Sequence, residues 1–137
     1  MKIKKPSKKS LWKKARDECD DLISEIVRLR DKRCMICPIG QQRSPLLQCG
    51  HYISRKFYSV RFDLDNCNAQ CQYCNSYHRF NTFPYDDWII KNKGLDKWRW
   101  LHQQARVTKQ YKLWELEELK EELGQILLRL FWGLDNK

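Results

Sequence analysis

Glycine and proline are scarce, at five and four residues in a chain of 137, which excludes collagen-like repeats and a disordered Pro/Gly-rich polymer. No run of about 18 apolar residues occurs, so no membrane span is expected. The Lys-rich start (Lys2, Lys4, Lys5, Lys8, Lys9) leads into an amphipathic stretch without an apolar signal core, so no secretory signal is expected and the cytoplasm is the predicted compartment. Acidic residues are in deficit: 17 Asp and Glu face 27 Lys and Arg, a formal charge of +10. Such an excess favours a polyanionic partner, with nucleic acid first. Apolar residues make up 42% of the chain, enough for a globular core, and the length suits one domain with extensions.

Seven cysteines are present, and without an export signal they point to thiolates holding metal in a reducing compartment, not to disulfides. Their placement divides the chain into three segments. Residues 1–32 form a basic tail and an amphipathic helix, with Ser10 as N-cap and Leu11, Ala15, Cys19, Leu22, Ile26 and Leu29 on one face. Over residues 33–83 this periodicity vanishes, six of the seven Cys appear, and the apolar pieces Leu46-Leu47 and Val60-Arg61-Phe62 suggest strands in a small irregular unit. A poor hydrophobic core there makes a structural metal the natural stabiliser. Residues 84–137 are predicted to be helical, with elements over 85–92 and 95–107 and a last helix carrying Leu116, Leu119, Leu123, Ile126 and Leu130 at heptad spacing. That seam can pack on the chain's own helices or on a second copy, making it a candidate dimerisation surface. Residues 113–137 hold three basic and six acidic side chains, so residues 1–112 carry 24 basic and 11 acidic ones: −3 against +13. Positive charge therefore lies with the metal-like unit.

Cys34-Met35-Ile36-Cys37 and Cys71-Gln72-Tyr73-Cys74 are two C-x-x-C knuckles with 33 residues between them. Four thiolates from two such turns suit a closed tetrahedral zinc site with no open position for substrate. Cys19, Cys49 and Cys67 lack a paired spacing and are read as buried or bystander thiols. Trp88, Trp98, Trp100, Trp114, Trp132 and His102 are read as packing or interface residues. Between the knuckles lie Gln48-Cys49-Gly50-His51-Tyr52-Ile53-Ser54-Arg55 and then Arg61-Phe62-Asp63-Leu64-Asp65-Asn66. The second knuckle runs into Asn75 and His78. A His ending a short strand, an Asn five residues before a C-x-x-C, and a ligand-type residue directly after it form the pattern of a ββα-metal nuclease.

On these motifs the stretch 34–81 resembles the HNH/endonuclease VII superfamily. The runs Cys49-Gly50-His51-Tyr52-Ile53-Ser54-Arg55, Val60-Arg61-Phe62-Asp63, Asp65-Asn66 and Gln70-Cys71-Gln72-Tyr73-Cys74-Asn75 are similar to the bacteriophage lambda NinG (Rap) family of recombination endonucleases acting on branched DNA. The resemblance implies that His51 is the general base that activates water, a role its near-neutral imidazole suits, and that Asn66 holds the loop and helps orient it. It also places the catalytic divalent ion, magnesium or manganese, on Asn75, with His78 one helical step away as a second ligand. One departure stands out: the position before the catalytic His is commonly Asp, and here it is Gly50. Either His78, Asp63 or Asp65 replaces that ligand, His78 ranking first, or the ion is held weakly.

Arg55, Lys56, Arg61 and Arg79 are candidate phosphate contacts. The expected fold class is α+β, a zinc-stabilised ββα-metal (HNH-like) unit at 33–83 flanked by N- and C-terminal helices. The expected function is divalent-metal-dependent hydrolysis of branched DNA such as a Holliday junction. Two symmetric cuts call for a homodimer, and for a phage-encoded chain the compartment is the host cytoplasm. Two alternatives stand beside this reading: a non-catalytic zinc module that binds DNA, and an HNH nuclease that nicks linear duplex.

Overall fold

The computed structural model describes residues 2–134. The fold is α+β: among the described residues six helices surround one two-stranded sheet, in the order α1 (Lys8–Asp31), β1 (Leu47–His51), α2 (Tyr58–Arg61), β2 (Cys67–Cys71), α3 (Gln72–Tyr77), α4 (Phe83–Lys93), α5 (Leu95–Ala105) and α6 (Leu113–Phe131). The first helix starts earlier than its apolar stripe. Ser7, not Ser10, is the N-cap, its hydroxyl oxygen accepting from the Ser10 N–H at 3.1 Å, because Lys8 and Lys9 extend the helix into solvent without an apolar contact.

β1 and β2 pair antiparallel, with Gly50 opposite Asn68 and His51 opposite Cys67. Only the first strand coincides with a predicted one. Val60-Arg61-Phe62 is not a strand: Tyr58–Arg61 makes a single helical turn, bonded from within by Asn66, whose Nδ2 donates to the Val60 carbonyl at 3.1 Å. β2 instead reads Cys-Asn-Ala-Gln-Cys, buried at every position. Asn68 is tied down, its Nδ2 donating to Asp65 O and to the Tyr85 hydroxyl and its Oδ1 accepting from Arg30, whereas the buried Gln70 Oε1 has no partner among the described residues.

One sheet face carries Cys67 and Ala69 into a core with Ala15, Cys19, Ile23, Ile26 and Val27 of α1 and Leu116 and Leu123 of α6. The leucine seam of α6 therefore packs within the chain. Leu116 and Leu123 are fully covered, and Leu119, Ile126 and Leu130 lie against the same core. The second core joins Tyr52 and Val60 to Tyr85, Ile89 and Leu101 of α4 and α5, with Trp88 and Trp98 against it. His102 is a packing residue here: its Nε2 bonds the Tyr52 hydroxyl at 2.8 Å and its ring lies on Trp98. No helix among the described residues is long and apolar enough to cross a membrane.

Candidate functional site

The two knuckles meet. Cys34 and Cys37 lie in the loop after α1, while Cys71 ends β2 and Cys74 sits in α3, and the four sulfurs lie within 4.8 Å of one another. Cys37 Sγ is 3.7 Å from Cys71 Sγ and 3.5 Å from Cys74 Sγ, near the roughly 3.8 Å that two sulfurs keep around one tetrahedral zinc. Backbone N–H groups of Cys37 and Arg43 point at the Cys34 and Cys37 sulfurs, at 3.4 and 3.5 Å, the arrangement that stabilises thiolates over thiols. Met35 N–H donates to Ala69 O (2.8 Å), fastening the first knuckle to β2. This buried four-sulfur set can hold a metal such as zinc.

Between the strands the chain makes a closed loop whose hub is Asn66, fully buried. Its Oδ1 accepts from Ile53 N–H (2.8 Å) and its Nδ2 donates to Ile53 O (3.0 Å) as well as Val60 O. One amide thus fixes both limbs of the loop, and the next carbonyl along, that of Arg61, receives the His51 ring at 2.9 Å through Nε2. A carbonyl oxygen only accepts, so Nε2 carries the hydrogen and Nδ1 keeps the lone pair. Burial, with the positive charges of Arg55 and Arg61 nearby, pushes the imidazole down to about 4, so it is neutral throughout the physiological range but a weaker base than the near-neutral ring expected from the sequence.

His51 lines an open groove of about 1190 Å³ together with Gln48, Asn75, His78 and the face of α1. Six cationic side chains, Arg16, Arg28, Arg55, Lys56, Arg61 and Arg79, border it against Asp17, Asp20 and Asp21. Arg61 is committed to Asp20, with Nη2 and Nε at 2.5 and 3.0 Å from its carboxylate, and Arg16 to Asp17 at 2.8 Å. Arg28, Arg55, Lys56 and Arg79 have no ion-pair partner among the described residues, leaving four positive groups against Asp21 in the groove. A floor of exposed cations next to a neutral imidazole is suited to a phosphodiester backbone.

The family profile described as "Bacteriophage Lambda NinG protein" matches residues 1–130. The chain belongs to the NinG family. Among curated relatives, "Protein ninG" of Salmonella phage P22 is 30% identical over 139 residues, covering 89% of this chain and 66% of the relative. Proteins of the same name from Escherichia phage 933W and Enterobacteria phage VT2-Sa are also 30% identical, each with 67% of its length covered. This chain thus spans about two thirds of the length of the curated relatives it matches. No solved structure matches it.

Within this NinG chain, the residues singled out in the sequence divide clearly. His51, Arg55, Lys56, Arg61, Asn75, His78 and Arg79 converge on the groove, and Asn66 lies behind them as the clamp of the loop. Arg61, bonded to Asp20 and to Arg55 O and only 8% exposed, is a structural ion-pair member and not a free phosphate contact. Asp63 and Asp65 are not ligands of this site. Asp63 Oδ1 accepts the N–H groups of Asp65 and Asn66 in a turn, and Asp65 pairs with Lys93 and Lys97 at 3.3 and 3.2 Å.

The donors offered to a magnesium or manganese ion are few. Asn75 Nδ2 donates to Gln48 Oε1 (2.9 Å), leaving Asn75 Oδ1 as an oxygen ligand. His78 Nε2 donates to Tyr52 O (2.8 Å), so its lone pair is on Nδ1, which is buried and without a partner; it does not open to solvent as a ligand in the groove must. No three-membered His/Cys/Asp/Glu group involving a carboxylate converges among the described residues. The residues present therefore do not fit a carboxylate-held hard cation. At Gly50 a Cβ would fall 1.8 Å from Gln70 Oε1, so any side chain on β1 at that position requires Gln70 to move.

Two features escaped sequence reasoning. Arg16 and Arg28 reach the groove from α1, which only the packing of that helix on the sheet reveals. Cys49 and Cys67 meet His51, with one donor atom from each within 4.8 Å of the others. The Cys49-x-His51 alternation on one strand face was the available signal, but Cys67 joins it only through the register. The adjacent Cys67 thiol holds the Cys49 thiol below its ordinary value, while burial pushes Cys67 well up.

Proposed function

We propose that this chain is a zinc-stabilised DNA endonuclease of the HNH/endonuclease VII kind, acting on branched DNA, with His51 as general base. The observation that carries the reading is the imidazole fixed on the Arg61 carbonyl at the edge of a cationic groove that also holds Asn75. In this scheme Arg28, Arg55, Lys56 and Arg79 hold the phosphate backbone, and His51 Nδ1 takes the proton of a water aimed at phosphorus. Asn66 keeps the ring's acceptor in place, and the Cys34/Cys37/Cys71/Cys74 zinc fixes β2 to α3 so that Asn75 stays beside β1. The order strand, loop, strand, helix around that metal supports the ββα-metal assignment. Asn75 Oδ1 is the oxygen this groove offers a magnesium or manganese ion, and with no carboxylate beside it among the described residues the phosphate charge is met by Arg28, Arg55, Lys56 and Arg79.

The preference for four-way junctions comes from the motif resemblance, and the excess of positive charge is compatible with it. Paired cuts call for a homodimer. Because Leu116 and Leu123 are covered by α1, such a dimer must use other surface, such as the exposed Trp114, Leu128, Phe131 and Trp132.

The test is cleavage of labelled four-way junction and linear duplex with magnesium or manganese. Faster cutting of the junction supports the reading, and faster nicking of duplex favours a linear-DNA HNH enzyme. A second reading has its own support: the missing carboxylate at Gly50 favours a non-catalytic zinc module that binds DNA. Junction binding without cleavage under either ion selects it.

A further inference from the structure

Cys49 and His51 are two residues apart on β1 and so project from the same sheet face, and Cys67 stands directly opposite His51 in the antiparallel register. One donor atom from each lies within 4.8 Å of the other two. Two sulfurs and a nitrogen around one tetrahedral zinc are separated by about 3.5–3.8 Å, so closure requires side-chain adjustments of about an ångström or less, without a change of strand register. These thiols are separate from the four-sulfur centre, which uses every one of its own cysteines.

We propose that Cys49, His51 and Cys67 form a second metal site, selective for a thiophilic cation of the zinc class and open towards the groove. Two soft sulfurs and an imidazole select zinc over magnesium or manganese. Three protein ligands leave a fourth position for water or a phosphate oxygen. Cys49 and His51 both line the groove, so an ion can enter from solvent.

Occupancy has a consequence that rests on the reading of His51 as base. A neutral imidazole has one lone-pair nitrogen. If Nδ1 binds the ion its lone pair is gone; if Nε2 binds, it leaves the Arg61 carbonyl and the ring hydrogen moves to Nδ1. Either way no nitrogen remains to take a proton from water. The site is therefore inhibitory: zinc at the first centre builds the fold and zinc at the second stops the reaction.

Zinc content is measured by elemental mass spectrometry on the reduced, zinc-loaded and desalted 137-residue chain, for wild type, Cys49→Ala and Cys67→Ala. The expected result is two zinc ions per chain in wild type and one in each variant. Cys49 is only half-buried, so its variant keeps the inference testable if Cys67→Ala unfolds. One zinc per chain in wild type, or two in Cys49→Ala, overturns the site. In parallel, junction cleavage is followed as zinc is raised. Loading the second ion is expected to slow wild type by about a hundredfold, the scale of a lost general base, while Cys49→Ala holds its own starting rate. Two bound ions with an unaltered wild-type rate overturn the inhibitory half. If wild type does not cut at all, the nuclease reading falls while the zinc count still decides the site.

Discussion

Replacing Gly50 by alanine gives a prediction whose sign opposes intuition. Alanine in place of a strand glycine ordinarily gains about 0.5–1 kcal/mol, because glycine loses more backbone freedom on folding. Here the new methyl would lie 1.8, 2.6 and 2.8 Å from Oε1, Cδ and Cγ of Gln70. Gln70 is 1% exposed, so relieving the overlap means turning its side chain within the interior, and the backbone at Gly50 is held by the Tyr85 hydroxyl on its carbonyl at 2.7 Å. Overpacking of this kind costs about 1–3 kcal/mol, a fall of roughly 3–12 °C in Tm for a chain of this size. Gly50→Ala, Gln70→Ala and the double variant are compared by urea and thermal unfolding with zinc present. The double variant should recover about 1–2 kcal/mol over the sum of the single changes, as contacting residues do. A Gly50→Ala protein as stable as wild type, or strictly additive changes, would refute the overlap with Gln70.

Other outcomes follow from the same geometry. Asn66→Asp keeps the acceptor for Ile53 N–H but sets a carboxylate oxygen against the Ile53 and Val60 carbonyls; a loss of about 2–4 kcal/mol is expected in urea titration, and a neutral result would contradict the role of the clamp. His51 is pushed down to about 4 by burial, so the unfolded chain takes up a proton near pH 6.5 that the folded chain refuses. Its contribution is full above that pH and is lost as pH falls towards 4, by about 2–3 kcal/mol. The acid limb of kcat/KM on junction DNA should accordingly lie well below 6.5; a limb at 6.5 would contradict the buried, neutral ring. Arg79→Ala should weaken DNA binding and reduce the salt slope by about one. Arg61→Ala should instead destabilise the fold by about 2–4 kcal/mol, by stranding Asp20, and equal stability of these two variants would remove the distinction drawn between them.

The parts legible in the sequence are those with a period or a spacing. The α6 stripe and the paired knuckles read directly, and the knuckles do converge; in α1 the helix was legible but its face was read in part, since Leu11 and Leu29 are exposed and Ile23 and Val27 are buried with Ala15, Cys19 and Ile26. β2 was not legible, because a strand covered on both faces shows no alternation, and Asn68 and Gln70 look like loop residues until Arg30 and Tyr85 are seen to partner Asn68. Val60-Arg61-Phe62 was misleading for the converse reason: apolar β-formers there make a helical turn whose shape is set by a distant amide. The α6 seam reads equally well for self-association and internal packing, and only its contact with α1 decides which. At the site, His51, Asn66 and Asn75 stand in a linear motif. The cations of α1 and the Cys49–Cys67 pairing depend on tertiary register, which no spacing encodes.

The most direct test of His51 as general base is a single-turnover rate on a labelled four-way junction, wild type against His51→Ala, both carrying zinc at the four-cysteine centre and binding the junction equally. Wild type is expected to cut about 10²–10⁴ times faster. Equal rates, or no cutting by the wild-type chain with either magnesium or manganese, would contradict it.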